Sequence, residues 1–305
     1  MIRHFTELSD LGAGGLPKLL DAADAWKETR GTPHARRPLG GKSVAIIFEK
    51  ASTRTRLSLE VAVAEMGGHP VVISSQGSQL GRGEPIADTA RVLSRMVHAV
   101  TLRTFEHARL LEFGQHSSVP VLNALTDHSH PMQLLADLQT VRRVKPRLEE
   151  LSFAWIGDGN NMANSWLEAA GLLKLQLTLA CPAGYDPDAR ELERARRRGG
   201  RVRVVREPER AAEGADVVST DVFASMGQEA EQAARLKAFA GFEVTPALLA
   251  RAQKDVMVLH CLPAHRGEEI AAEVIDGPNS HVWDQAEARL HTAKAVLEWA
   301  LAADG

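Results

Sequence analysis

The sequence predicts an α/β protein of two domains, each a parallel sheet flanked by helices, and three observations carry that expectation. Short apolar runs alternate with amphipathic stretches along the chain, the order of elements that parallel sheets with crossover helices require. The apolar runs form two series, four and then five, separated by a helical stretch that ends at Lys145-Pro146. The 305 residues are enough for two domains of ordinary size, each with its own core.

The elements follow in order. Residues 44–48 are continuously apolar and read as a buried strand. This run leads into Ser52-Thr53-Arg54-Thr55-Arg56, and helical spacing begins there and continues over 53–66. Further strands are expected at 70–74, 99–102 and 119–122. The stretch QLLADLQTVRRV is helical in pattern and is stopped by Lys145-Pro146, because proline excludes the helical conformation from the residue before it. That helix is expected to join the two domains as a stiff hinge. The second series places strands at 152–156, 176–180, 202–205, 217–220 and 256–259, with helices over 161–173, 188–198 and 245–252. Residues 284–301 form a long alanine- and leucine-rich helix expected to pack back on the first domain. The resulting division is 1–142, 143–284 and a returning helix at 285–305.

Composition narrows the function classes. Hydrophobic residues make up 44% of the chain, as in a globular enzyme. A net charge of -3 gives no basic field to draw the protein to nucleic acid or an anionic membrane. No apolar run has the length of a membrane span, and the start MIRHFTELSD lacks the apolar core of a signal peptide. Two cysteines far apart, Cys181 and Cys261, form no disulfide framework. A cytoplasmic location is therefore expected.

The chemistry gathers at strand ends. A helix that starts just after a strand offers free backbone N–H groups and partial positive charge to the crevice of an open sheet. Ser52, Thr53 and Thr55 add hydroxyls there, and Arg54 adds a planar fork that matches phosphate. The stretch reads as an anion cradle, against the plainer reading of an N-cap serine followed by solvated arginines. Arg103 follows the strand at 99–102, and His130 with Gln133 follows the strand at 119–122. Three strand ends of one sheet then present donors on one side.

With those residues in view, STRTR at 52–56, HPMQ at 130–133 and HCLP at 260–263 resemble the aspartate and ornithine carbamoyltransferase family. TDVFASMGQE at 220–229 and the residue pair ahead of Leu262-Pro263 point to its ornithine branch. The resemblance runs from HFTELSDL to AEARLHTAKAVL. It implies carbamoyl transfer from carbamoyl phosphate to the side-chain amine of L-ornithine, with no metal and no cofactor. It also implies that Ser52, Thr53, Arg54 and Thr55 hold phosphate, Arg103 and His130 meet the carbonyl oxygen, Gln133 meets the carbamoyl nitrogen, Cys261 and Leu262 also contact carbamoyl phosphate, and Arg289 completes the site, with Arg54, Arg103, His130 and Cys261 as the catalytic residues. Gln79, in GSQLGRGEP, matches a position that reaches carbamoyl phosphate from a neighbouring subunit, so a homo-oligomer, a trimer or a multiple of trimers, is expected. For ornithine the resemblance implies Asn161, Asp221, Ser225 and Met226, with Cys261 and Leu262 beside the reacting amine and Ser225-Met226 on a mobile loop. That amine must attack uncharged, although a lysine-like amine has a free pKa of about 10.4. Cys261 and phosphate are both candidates for its proton.

Related amines such as N-acetylornithine or putrescine are the alternative acceptors. Other readings need separate answers. Ile156-Gly157-Asp158-Gly159-Asn160-Asn161 starts like a dinucleotide fingerprint, but Met162 stands where the third glycine belongs. A nicotinamide-dependent dehydrogenase is thus the different-class alternative, and simple turn chemistry at Asp158 and Asn160 is the plainer reading. His260-Cys261 with His265 suggests a metal site or a Cys-His nucleophile, yet no further ligand is expected nearby. Cys181 reads as core. Arg196-Arg197-Arg198 before Gly199-Gly200 reads as a helix end. A binding protein that kept the fold without turnover is the non-enzyme alternative.

Overall fold

The computed structural model describes residues 2–49, 52–74, 83–224 and 231–302. Nine strands occur among them: β1 Ser43–Phe48, β2 His69–Ser74, β3 Ala99–Arg103, β4 Val121–Leu125, β5 Ser152–Ile156, β6 Gln176–Ala180, β7 Arg201–Val205, β8 Val217–Thr220 and β9 Met257–His260. The first five α-helices are α1 Gly15–Thr29, α2 Arg54–Glu65, α3 Ile86–Leu93, α4 His107–His116 and α5 Pro131–Val144. There follow α6 Asn161–Leu173, α7 Ala189–Arg197, α8 Pro208–Ala212, α9 Gln232–Ala238, α10 Pro246–Leu249, α11 Ala272–Ile275 and α12 Val282–Leu301. No helix among the described residues is long and apolar enough to cross a membrane.

The strands form a four-stranded sheet in the order β2-β1-β3-β4 and a five-stranded sheet in the order β7-β6-β5-β8-β9. Every pairing is parallel. Two compact units result, one of residues 1–139 with 287–305 and the other of residues 140–286. The C-terminal helix belongs to the first unit from Glu287 onward.

In the first unit, Val44 to Phe48 of β1 are all buried, which is why this strand reads as an unbroken apolar run rather than an alternating one. Its core joins Ala45, Ile47, Val100, Leu102 and Val121 to Leu110 and Phe113 of α4. In the second unit, Ile156, Val218 and Val258 of three neighbouring strands pack with Phe223, Phe239 and Phe242. The Phe223 and Phe239 rings stack at 4.6 Å.

Most expected boundaries shift by a residue or two, and two of the shifts have a clear physical cause. β4 begins at Val121 rather than 119: Pro120 has no N–H for the ladder, and only its carbonyl takes part, accepting from Val100 N at 2.8 Å. The helix expected over 245–252 is α-helical only over Pro246–Leu249. Beyond it, Arg251 N and Ala252 N reach back three residues to Leu248 O and Leu249 O at 3.0 Å each, a tighter turn than an α-helix.

Each sheet reverses its strand order once. In the first unit the chain lays β2 on one side of β1 and then β3 on the other. In the second it lays β6 and β7 on one side of β5 and then β8 on the other. Crevices at the carboxyl ends of such strand pairs are where open α/β sheets hold ligands.

Candidate active site

In the first unit the switch lies between β1 and β3. Ser52 and Thr53 lead into α2, which begins at Arg54, and Arg103 is the last residue of β3, which runs one residue further than the sequence suggested. Ser52 Oγ accepts from Thr55 N at 3.2 Å, tying down the first turn of α2. Arg103 Nη1 donates to Ser52 Oγ at 3.3 Å and to Thr55 Oγ1 at 3.2 Å. Arg289, on α12, donates through Nη2 to the same Thr55 hydroxyl at 2.5 Å. Arg103 and Arg289 are each only 6% exposed. Two guanidiniums drawn to one hydroxyl repel each other at short range, and an anion at the start of α2 would relieve that repulsion. Arg54 lies one residue earlier, its Nε buried with no hydrogen-bond partner among the described residues.

His130, just before α5, is 4% exposed. Burial, then the nearby charges of Arg289 and Arg103, hold its pKa well below the usual histidine range. The ring is therefore neutral near pH 7, able to donate one N–H without adding a charge. Gln133, one turn into α5, donates Nε2 to Asp137 Oδ1 at 2.8 Å.

In the second unit the switch lies between β5 and β8. Asn160 caps α6, its Oδ1 accepting from Met162 N at 2.9 Å and Ala163 N at 3.2 Å. Its Nδ2 donates to Asp221 Oδ2, just beyond β8, at 3.1 Å. Asp221 Oδ1 accepts from Cys261 Sγ at 2.9 Å and from Val222 N at 2.8 Å. One carboxylate thus joins the ends of β5, β8 and β9.

The turn after β9 is held from beneath. Leu262 N donates to His260 Nδ1 at 2.9 Å, which leaves the ring proton on Nε2. His260 Nε2 donates to Glu269 Oε1 at 2.9 Å, and that oxygen also accepts from His265 N at 2.6 Å. Leu262 sits at φ 58°, and its peptide to Pro263 is cis. A left-handed leucine costs about 1–2 kcal/mol, so these bonds hold the turn in a shape the chain would not choose alone.

The other expected residues can now be placed. Asn161 is the first residue of α6, next to the cap. Gln79, Ser225 and Met226 fall outside the described residues. Cys181 is fully buried, and burial pushes its thiol up to about 12. The arginine run ends α7, with Gly199 at φ 98° after it. One expectation is overturned: ligand-type side chains do lie near His260 and Cys261. Asp221, His260 and Cys261 bring donor atoms within 4.8 Å of one another, and His265, Glu268 and Glu269 form a second such group. Both His260 ring nitrogens are already engaged in hydrogen bonds.

Glycine at 159 has a local cause. A Cβ there would meet the backbone of Asp186 and Pro187 at 2.2 Å. The residue is needed for the chain's own close approach, and no pyrophosphate is required to explain it.

Two partners went unseen in the sequence. Arg235 donates from Nη1 to Asp158 Oδ2 at 2.7 Å and to Phe223 O at 3.0 Å. Asn160, read as a turn residue, is the link to Asp221. The cap preference of asparagine ahead of an apolar helix was a usable signal for Asn160. A salt bridge spanning 77 positions left none for Arg235.

Residues 3–143 match the family model described as the aspartate/ornithine carbamoyltransferase carbamoyl-P binding domain, and residues 149–300 match that of the Asp/Orn binding domain. The ornithine carbamoyltransferase of Acidothermus cellulolyticus is 55% identical over 310 residues, spanning 100% of this chain and 98% of the relative. That of Geobacter sulfurreducens is 53% identical over 97% of this chain and 98% of the relative. Among solved structures, the ornithine carbamoyltransferase from Pyrococcus furiosus is 45% identical with a TM-score of 0.91, covering 97% of this chain and 96% of that one.

Proposed function

This chain belongs to the aspartate/ornithine carbamoyltransferase family, and from that premise we propose that it transfers the carbamoyl group of carbamoyl phosphate to the side-chain amine of L-ornithine, giving L-citrulline and phosphate in arginine metabolism. The observation that carries the reading is the pair of buried guanidiniums on Thr55 at the start of α2, beside a neutral histidine. A phosphorylated substrate with a polarisable carbonyl fits this arrangement.

In this reading residues 1–142 with the returning helix at 285–305 bind carbamoyl phosphate, and residues 143–284 bind ornithine. The helix over Pro131–Val144 joins the two parts. Ser52, Thr53, Arg54 and Thr55 take the phosphate oxygens, with Arg289 and a neighbouring subunit's copy of residue 79 completing the shell. Arg103 and His130 donate to the carbonyl oxygen, where negative charge grows as the tetrahedral centre forms. Donors already aimed at such an oxygen are among the larger contributions to catalysis. Gln133 receives the carbamoyl nitrogen. Asp221 takes the α-ammonium group of ornithine, with Asn161, Ser225 and Met226 holding its α-carbon end, and Cys261 and Leu262 flank the attacking amine.

That amine must arrive uncharged. The Cys261 thiol donates to Asp221 Oδ1 at 2.9 Å, which supports the departing phosphate as the acceptor of the amine's proton. Carbamoyl phosphate binds first, and calorimetry tests this order: tight ornithine binding in its absence would contradict it. Holding both reactants removes several kcal/mol of entropic barrier, on the order of the gain known for oriented intramolecular reactions.

The assembly is a trimer or a multiple of trimers, and the location is the cytoplasm, where two free cysteines are stable. One assay panel tests the function: carbamoyl phosphate with ornithine, N-acetylornithine, putrescine or aspartate, scored for ureido product. Product from ornithine alone is expected. Product from another amine and none from ornithine would overturn the reading.

A further inference from the structure

We infer that Asp137 is a positioning residue that turns the Gln133 amide so that its carbonyl, and not its NH2, faces the carbamoyl nitrogen, and that this lets the site tell carbamoyl phosphate from acyl phosphates. The inference rests on the proposed carbamoyl transfer and deepens it.

The argument begins with an ambiguity. A glutamine amide has two nearly equal ends, one a donor and one an acceptor, and its neighbours decide which way it points. Gln133 and Asp137 are four residues apart on α5 and so lie on one helical face. Asp137 is fully buried and Gln133 is 1% exposed. A carboxylate only accepts, so the Gln133 NH2 must turn toward it, and it does, at 2.8 Å. Gln133 Oε1 is then directed away, buried and with no hydrogen-bond partner among the described residues. A buried amide oxygen without a donor is costly, and a substrate N–H would satisfy it. Carbamoyl phosphate has that N–H. Acetyl phosphate carries a methyl group in the same place and offers nothing to the oxygen.

Asp137→Asn tests this. An asparagine can donate to Gln133, which frees the Gln133 amide to turn over and present NH2 to NH2. The readout is the ratio of affinities for carbamoyl phosphate and acetyl phosphate, the latter measured as a competitive inhibitor, with inorganic phosphate binding by calorimetry alongside. In the native protein carbamoyl phosphate is expected to bind about tenfold more tightly than acetyl phosphate. In Asp137→Asn the ratio falls to about one while inorganic phosphate binds as before, since phosphate never meets Gln133. A residue that merely supported the fold would weaken all three ligands together.

The exchange variant Gln133→Glu/Asp137→Asn keeps the charge and the atom count of the pair but moves the acceptor-only group to position 133. Its amide donates from 137 and its carboxylate faces the carbamoyl nitrogen, so discrimination returns. This variant also decides the matter if Asp137→Asn does not fold. An unchanged ratio in Asp137→Asn, a ratio of one in the exchange variant, or a parallel loss of inorganic phosphate binding overturns the inference. A native protein that binds neither carbamoyl phosphate nor inorganic phosphate would instead remove the transferase reading beneath it.

Discussion

Arg54, Arg103 and Arg289 place three cations around the opening turn of α2, and the neighbouring histidine stays neutral because of its burial and of the charges of Arg289 and Arg103. Charge at this point is meant for the ligand. Arg54→Ala removes charge-assisted hydrogen bonds worth about 1.5–3 kcal/mol, so carbamoyl phosphate should bind roughly 10- to 150-fold more weakly with an unchanged unfolding midpoint. Calorimetry and urea denaturation check the two halves separately. His130 gives a pH prediction. Its folded pKa lies below the unfolded value of about 6.5, so below that pH the unfolded chain binds more protons than the folded one. Stability is therefore fully present above the unfolded pKa and is lost as pH falls below it. His4, His107 and His291 are lowered by burial too and act in the same direction. Urea midpoints should drop between pH 7.5 and 5.5, and the drop should be shallower in His130→Asn; an equal slope in the variant would contradict the burial argument. Arg54, Arg103 and His130 were legible because polar groups gathered just past apolar strands have few structural reasons to be there, whereas Arg289, inside α12, was reached only through the family resemblance. Asp158 with Arg235 was not legible, since each looks like an ordinary charged residue until the fold brings them to 2.7 Å.

At the scale of elements, the start of α6 serves both fold and site. The Asn160 side chain satisfies two N–H groups of the helix through its oxygen and steadies Asp221 through its nitrogen. Asn160→Ala should lose about 1–2 kcal/mol of stability from the cap alone. It should also raise the KM for ornithine, because Asp221 loses a donor that fixes its orientation. Asn160→Ser separates the effects, since serine caps nearly as well and cannot reach as far: stability should largely return and the KM should not. Gly159→Ala is a harsher test of the same turn, expected to reduce soluble protein outright because of the 2.2 Å approach to residues 186 and 187. The central strands, such as β1, β3, β5 and β8, were readable because strands buried on both faces of a parallel sheet are near-continuous apolar runs bounded by turns; β2 and β7 at the sheet edges are less buried and were marked by their β-branched residues. Shorter helices such as α8, α9 and α11 gave no such signal. Helices of 4 to 7 residues complete fewer than two turns and show no period. Pairing order was hidden as well, because parallel strands far apart in sequence share no local pattern. Even so, the orders β2-β1-β3-β4 and β7-β6-β5-β8-β9 are what place the site.

For the whole molecule, the open issue is whether one chain holds a complete site. Ser52, Thr55, Arg103 and Arg289 meet within a single chain, whereas the proposed contact from Gln79 comes from a neighbour. A closed ring of identical subunits makes this testable, because every site then draws Arg54 from one chain and Gln79 from the next. Gln79→Ala and Arg54→Ala homo-oligomers should each be nearly inactive. Mixed in equal amounts, dissociated and reassembled, they form hybrids in which some sites have both residues intact. A site is intact when its own chain carries the Gln79→Ala change and the neighbour carries Arg54→Ala. Random assembly gives that arrangement at about one site in four, so activity should recover to roughly a quarter of native. Recovery needs no exchange of structure between chains, only adjacency, and it fails if residue 79 serves its own chain. Mass measurement by light scattering on the same samples would show whether the reassembled species has three subunits or a multiple of three. Activity that stayed at the level of the two parents, in a sample of the native mass, would place residue 79 in its own chain's site and remove the main reason for expecting the ring.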